Sequence, residues 1–129
     1  MEKKQKHILI VEDEIFLSNL LKLNLEKEGF EVTQVFDGKN VTKELLIGKK
    51  IDLILLDLIL PDKNGFVLLE EIKKDPMLSK IPVVILSNLG QEEDILRGKK
   101  LGVKDYFVKA KESIESIVKK VKDILKVEK

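Results

Sequence analysis

Apolar residues along this chain fall into two kinds of block that alternate from one end to the other. One kind is a short, nearly continuous run, as in HILIV (His7 to Val11), IDLILL (Ile51 to Leu56) and IPVVIL (Ile81 to Leu86). The other is a longer stretch with apolar residues three or four apart. Short runs bounded by turn residues read as buried strands, and the spaced stretches as helices with one apolar face. The first strand, His7 to Val11, leads into a helix from Ile15 that carries Leu17, Leu20, Leu21 and Leu25 and stops at Gly29. EVTQVF (Glu31 to Phe36) alternates like a strand and runs into the Asp37-Gly38 turn, and a short helix from Asn40 to about Ile47 closes at Gly48. The third strand ends at Asp57, and the next helix, Asn64 to Asp75, sets Phe66, Leu69 and Ile72 on one side before Pro76 breaks it. A fourth strand (Ile81 to Ser87), a polar helix (Gly90 to Gly102) and a fifth strand (Val103 to Val108) follow. The last helix, from about Ser113, places Ile114, Ile117, Val118, Val121 and Leu125 at helical steps.

These are five strand-then-helix units with no linker or repeat, so residues 1–129 form a single domain. Strands apolar on both faces belong to a parallel sheet covered by helices on each side. Right-handed crossovers then leave a doubly wound α/β sheet. For five units the flavodoxin-like strand order 2-1-3-4-5 is the usual solution, and its ligand crevice opens at the carboxyl ends of strands 1 and 3.

Composition narrows the chemistry. A hydrophobic fraction of 43% supports a core, and a net charge of +1 gives no reason to expect non-specific binding to nucleic acid or to a membrane surface. Arg97 is the only arginine, which argues against direct base reading, where bidentate arginine is favoured. Cysteine is absent and His7 is the single histidine, so thiolate and multi-histidine metal sites are excluded. The polar start, MEKKQK, shows no signal peptide, and no apolar run approaches the ~18 residues of a membrane span. A cytoplasmic protein is expected.

Each strand delivers particular residues to the crevice edge. Strand 1 delivers Glu12 and Asp13, strand 3 Asp57, strand 4 Ser87 and strand 5 Lys109, while strand 2 delivers Phe36 and Asp37 outside the crevice. Taken singly, each has an ordinary reading. Acids before a helix serve as caps, a serine begins a turn, and most lysines in a lysine-rich chain are solvated. Asp57 is harder to dismiss, because a charge at the end of so apolar a run costs several kcal/mol unless it meets solvent, a metal or a partner. The joint pattern points to phosphoryl chemistry. Three clustered carboxylates call for a cation, and Mg²⁺ suits an all-oxygen set. A carboxylate beside it can act as a nucleophile on phosphorus. Asp57 is then the nucleophile, with Lys109 and Ser87 contacting the remaining phosphoryl oxygens.

With these residues assembled, the chain resembles a receiver domain of a bacterial response regulator, of the stand-alone single-domain type. ILIVEDE resembles the family's acidic-pair motif, and LILLDLILPDKNG its phosphoacceptor strand and following turn. PVVILS and YFVK resemble the hydroxyl and lysine strands. The resemblance implies phosphorylation of Asp57, with Glu12, Asp13, Asp57 and the Ile59 backbone carbonyl around Mg²⁺. It also implies a switch through Ser87 and Tyr106. The phosphodonor would be a sensor histidine kinase or a phosphotransfer protein. The downstream target would dock on the face of the fourth helix, fifth strand and fifth helix, roughly Gln91 to Lys126. On this reading the chain is a phosphorelay component that catalyses only its own phosphorylation and dephosphorylation.

Three positions depart from the family's pattern. Ala110 follows Lys109 where proline in a cis peptide is usual, Asn88 replaces a very small residue, and Ile59 is an apolar neighbour of the site. Asn88 and Ile59 are expected to alter water's access to a phosphorylated Asp57. A flavin carrier of the same architecture would need a phosphate loop where EDEIFLS stands. A haloacid-dehalogenase-type phosphatase would need an acid where Ile59 stands, and no P-loop is present. The rival from a different class is a receiver-shaped interaction module that works without phosphorylation.

Overall fold

The structure is a computed structural model and describes residues 5–126. Residues 1–4, part of the polar start on which the absence of a signal peptide is expected, and residues 127–129 lie outside the described residues. The elements run β1 (His7–Val11), α1 (Ile15–Lys27), β2 (Glu31–Val35), α2 (Lys43–Gly48), β3 (Leu53–Leu56), α3 (Gly65–Lys74), β4 (Val83–Ser87), α4 (Glu92–Lys100), β5 (Asp105–Val108) and α5 (Ile114–Leu125). The five strands are all parallel, in the order β2-β1-β3-β4-β5. This is the flavodoxin-like α/β topology the pattern predicts.

Successive strand side chains point to opposite faces, so each apolar run feeds two cores. Leu9, Val11, Ile54, Leu56, Val83 and Ile85 pack with Leu46 of α2 and Phe66, Leu69 and Ile72 of α3. Ile8, Ile10, Leu53, Leu55, Val84 and Leu86 pack with Leu21 and Leu25 of α1 and with Val118 and Val121 of α5. That division explains why β1 after His7, β3, and β4 before Ser87 are wholly apolar. The edge strand β2 is only half covered and keeps polar residues.

Several boundaries move from the sequence expectation, among them the starts of β3, at Leu53 rather than Ile51, and of β4, at Val83 rather than Ile81. Helix α2 starts at Lys43, three residues after Asn40. Thr42 is its N-cap, accepting from Leu45 N–H at 3.1 Å, while Asn40 belongs to a turn whose backbone N–H is held by Asp37. Helix α4 is shorter than Gly90 to Gly102, and β5 begins at Asp105 rather than Val103. A 3-10 turn over Lys109–Lys111, which has no sequence signal of its own, follows β5. No cis peptide occurs among the described residues, so Lys109–Ala110 is trans.

Gly65, at the start of α3, is where the loop from β3 closes tightly. A Cβ there would lie 2.3 Å from Leu58 Cα and 2.7 Å from its carbonyl oxygen. Only glycine allows the backbone of α3 this close to the residue beside Asp57. Among the described residues no helix is long and apolar enough to cross a membrane.

Candidate functional site

The sheet ladder runs one residue past β1 and β3 and fixes two carboxylates. Glu12 N–H donates to Val35 O at 3.0 Å, and Asp57 N–H to Val11 O at 3.0 Å. Both side chains are buried, Glu12 at 2% and Asp57 at 3% exposure. Asp57 therefore does not reach solvent as a surfacing strand end would. Its charge is met internally. Oδ1 accepts from Ile59 N–H at 3.1 Å, and Oδ2 from Lys109 Nζ at 2.9 Å.

Lys109 leaves the end of β5 and reaches across β4 to the ends of β3 and β1. Its ammonium also lies 2.9 Å from the Glu12 carboxylate and 3.1 Å from Glu14 Oε2. Glu12 in turn accepts from Glu14 N–H at 3.0 Å. Burial pushes the Glu12 carboxyl up to about 7, against the Lys109 ammonium and the Glu14 N–H, which favour its charged form. Burial works against the Lys109 charge as well, but its bonds to Glu12 and Asp57 outweigh that and hold the ammonium above its ordinary range. Carboxylate oxygens of Glu12, Asp13 and Asp57 lie within 4.8 Å of one another, with Asp13 on the exposed side. One ammonium does not balance these acids. The all-oxygen donor set, open on the side of Asp13, is chemically suited to a hard cation.

Ser87 is fully buried at the end of β4, and its Oγ accepts from Leu89 N–H at 3.3 Å instead of contacting the carboxylates. Tyr106 on β5 is turned inward, 8% exposed, and its hydroxyl donates to the Leu89 carbonyl. Leu89 thus joins the hydroxyl residue of β4 to the aromatic residue of β5 through its N–H and its carbonyl. Burial, and then the charges of Asp94 and Asp57, push the Tyr106 phenol up to about 12. The ring seats against Gly98, the only buried residue of α4. A Cβ there would lie 3.0 Å from Tyr106 Cδ2 and from Ile85 Cδ1. The neighbouring Arg97 stacks on Phe66 at 4.2 Å and pairs with Glu70 at 3.2 Å, tying α4 to α3.

The structure therefore brings together Glu12, Asp13, Asp57 and Lys109, and bonds Ser87 of β4 and Tyr106 of β5 to the backbone of Leu89 in the loop after β4. Ile59 stands two residues beyond Asp57, joined to Asn64 by an isolated bridge, with an exposed side chain. Two participants escaped the sequence reading. Glu14 looks like one more acid of a triplet, and Leu89 contributes only backbone groups.

Residues 8–122 match the family model of the response regulator receiver domain. This chain belongs to that family. Its curated relatives include the "DNA-binding dual master transcriptional regulator RpaA" of Synechocystis, 35% identical over 92% of this chain but only 48% of the relative. The receiver domain described here thus spans about half the length of that relative. Among solved structures it resembles the Mn²⁺-bound form of response regulator Rcp1, at 31% identity and a TM-score of 0.79, covering 95% of this chain and 97% of the other. It also resembles the phosphorylated cyanobacterial phytochrome response regulator RcpA, at 35% identity and a TM-score of 0.74, covering 94% and 91%. Receiver domains work with histidine kinases and downstream effectors in two-component signalling.

Proposed function

We propose that this receiver domain accepts a phosphoryl group on Asp57 in a Mg²⁺-dependent reaction and passes the change to a protein partner. The observation that carries the reading is a buried aspartate with an ammonium on one oxygen and a backbone N–H on the other, beside an acidic pair. Glu12, Asp13 and Asp57, with the Ile59 carbonyl, would hold the ion, which when bound supplies neutralisation of the negative charge that gathers at the phosphoryl oxygens. An Asp57 oxygen forms the new bond to phosphorus as the donor's bond breaks and its leaving group departs with the electron pair. Lys109 bonds a phosphoryl oxygen, and Ser87 turns its hydroxyl from Leu89 toward another.

That movement of Ser87 draws on the Leu89 loop, to which Tyr106 is bonded. The added charge at Asp57 is thereby expressed on α4, β5 and α5 as a shift between two arrangements. A sensor histidine kinase or a phosphotransfer protein is the proposed donor, a protein docking on that face the proposed target, and the cytoplasm the proposed compartment. The chain acts on no substrate other than its own aspartate. The Mn²⁺-bound and phosphorylated forms of the similar response regulators support this reading.

Intact mass after incubation with acetyl phosphate and Mg²⁺ tests it, beside Asp57→Asn and an EDTA control. One phosphate on the parent and none on either control is the expected result. A folded parent that gains no phosphate would instead assign the chain to the phosphorylation-independent interaction modules.

A further inference from the structure

Lys109 is saturated. An ammonium has three N–H donors, and here three carboxylates take them, from Glu12, Asp57 and Glu14. If Lys109 is to hold a phosphoryl oxygen on Asp57, one of these partners has to leave. The three differ in what leaving costs. Glu12 is buried, and Asp57 is buried and keeps its charge until its bond to phosphorus forms. As a phosphoryl oxygen arrives both would therefore lose compensation without gaining water, whereas the Glu14 side chain is 56% exposed and is rehydrated as it swings away. Among the described residues Glu14 has no other hydrogen-bond or ion-pair partner for its carboxylate. It stands at the N-cap of α1, yet its side chain makes no capping hydrogen bond, and its contribution to Glu12 comes from its backbone N–H.

We infer that Glu14 is a positioning residue whose carboxylate holds the place on Lys109 that a phosphoryl oxygen takes, and so restrains phosphorylation of the resting domain. The inference rests on the proposed role of Asp57. Glu14 acts only through Lys109. In the unmodified domain it keeps the ammonium aimed into the acid cluster, and each phosphorylation event has to displace it. Once the phosphoryl group is in place Glu14 is already released, so hydrolysis of the phosphorylated form does not involve it. The two directions of the reaction therefore respond differently to its removal. A contact with one half-exposed partner is worth a factor of about two to five in an equilibrium or rate.

The test compares the parent with Glu14→Ala and Glu14→Asp, following phosphorylation by acetyl phosphate at fixed Mg²⁺ and, after donor removal, loss of the phosphate. Alanine keeps the backbone N–H to Glu12. Aspartate keeps the charge, but its shorter side chain falls back from Lys109 and can cap the helix instead. Both variants are expected to accept phosphate about two- to fivefold faster than the parent, with hydrolysis unchanged within about twofold. Aspartate behaving like the parent while alanine is faster would show a diffuse field effect and overturn the placeholder. So would equal or slower uptake in both variants, or hydrolysis changing in step with uptake. A parent that takes phosphate, with variants no faster, removes this inference alone. A folded parent that takes none removes it together with the proposed role of Asp57.

Discussion

Replacing Gly98 by alanine sets two effects of known size against each other. In a helix interior alanine is favoured over glycine by about 0.8–1.0 kcal/mol. Against this, the new methyl would stand 3.0 Å from Tyr106 Cδ2, 3.2 Å from its Cε2 and 3.0 Å from Ile85 Cδ1, inside the distance at which carbon atoms rest. Pressing the helix outward to relieve such contacts costs about 1–3 kcal/mol. The ring could instead turn out, losing its hydrogen bond to Leu89 for about 0.5–1.5 kcal/mol together with part of its burial. Whichever route is cheaper, the overlap offsets the helix gain, and Gly98→Ala is expected to be less stable than the parent by about 1 kcal/mol. Urea unfolding followed by circular dichroism measures this, and the near-ultraviolet signal reports on the ring, since Tyr106 is the single tyrosine and tryptophan is absent. In a Tyr106→Ala background the cost should shrink, because both ring contacts are gone and only Ile85 Cδ1, the movable end of a side chain, still opposes the helix preference. An equal effect of Gly98→Ala in both backgrounds would refute the idea that the glycine exists to seat the ring.

Tyr106 also gives a pH signature: its folded pKa of about 12 lies above its ordinary value, so the stability it contributes is full below that value and is lost as pH rises toward 12. Phenolate absorbance locates the titration, and Tyr106→Phe should flatten this part of the stability–pH curve. Mg²⁺ at 100 times its dissociation constant should stabilise the fold by about 2.7 kcal/mol. Thermal melts should show that gain disappearing with EDTA and shrinking in Asp13→Asn. Gly65→Ala meets backbone rather than a movable side chain and should destabilise the domain by about 3 kcal/mol or more, as read by urea midpoint. Asn88→Ala and Ile59→Asn should change the lifetime of the phosphorylated form, and lifetimes equal to the parent's in both would remove those two side chains from the control of water.

The fold was legible because its strands are so nearly uniform. Ile8–Val11 is apolar throughout, and both of its faces are in fact covered, so period and burial say the same thing. Helix α3 was legible for a different reason. Asn64 caps it through Phe66 N–H at 2.7 Å, and asparagine before an apolar stripe is a local signal. Local signals also explain the error at α2, where Asn40 and Thr42 are both acceptable caps and only packing of Val41 and Leu46 decides between them. At the candidate site, residue types sufficed for Glu12, Asp13, Asp57 and Lys109, since topology alone carries them to one edge. Glu14 was indistinguishable from its neighbours until β5 supplied the ammonium it faces. The stacking of Arg97 on Phe66 was hidden in the same way, as it depends on how α4 lies across α3.

The bond between Lys109 and Glu12 joins residues 97 positions apart, and that to Asp57 spans 52. Synthesis proceeds from the amino end, so Glu12, Asp13 and Asp57 leave the ribosome well before Lys109, whose ammonium pairs with Glu12 and Asp57. Until β5 pairs with β4, the ends of β1 and β3 hold mutually repelling acids without the Lys109 ammonium, and closing that edge early is unfavourable. Long-range closure of this kind comes late and slowly in folding. The charge balance thus makes the chemistry of the cluster wait for the chain: a half-made or frayed domain presents the acids without the lysine, and only a molecule with its last strand docked has the constellation complete.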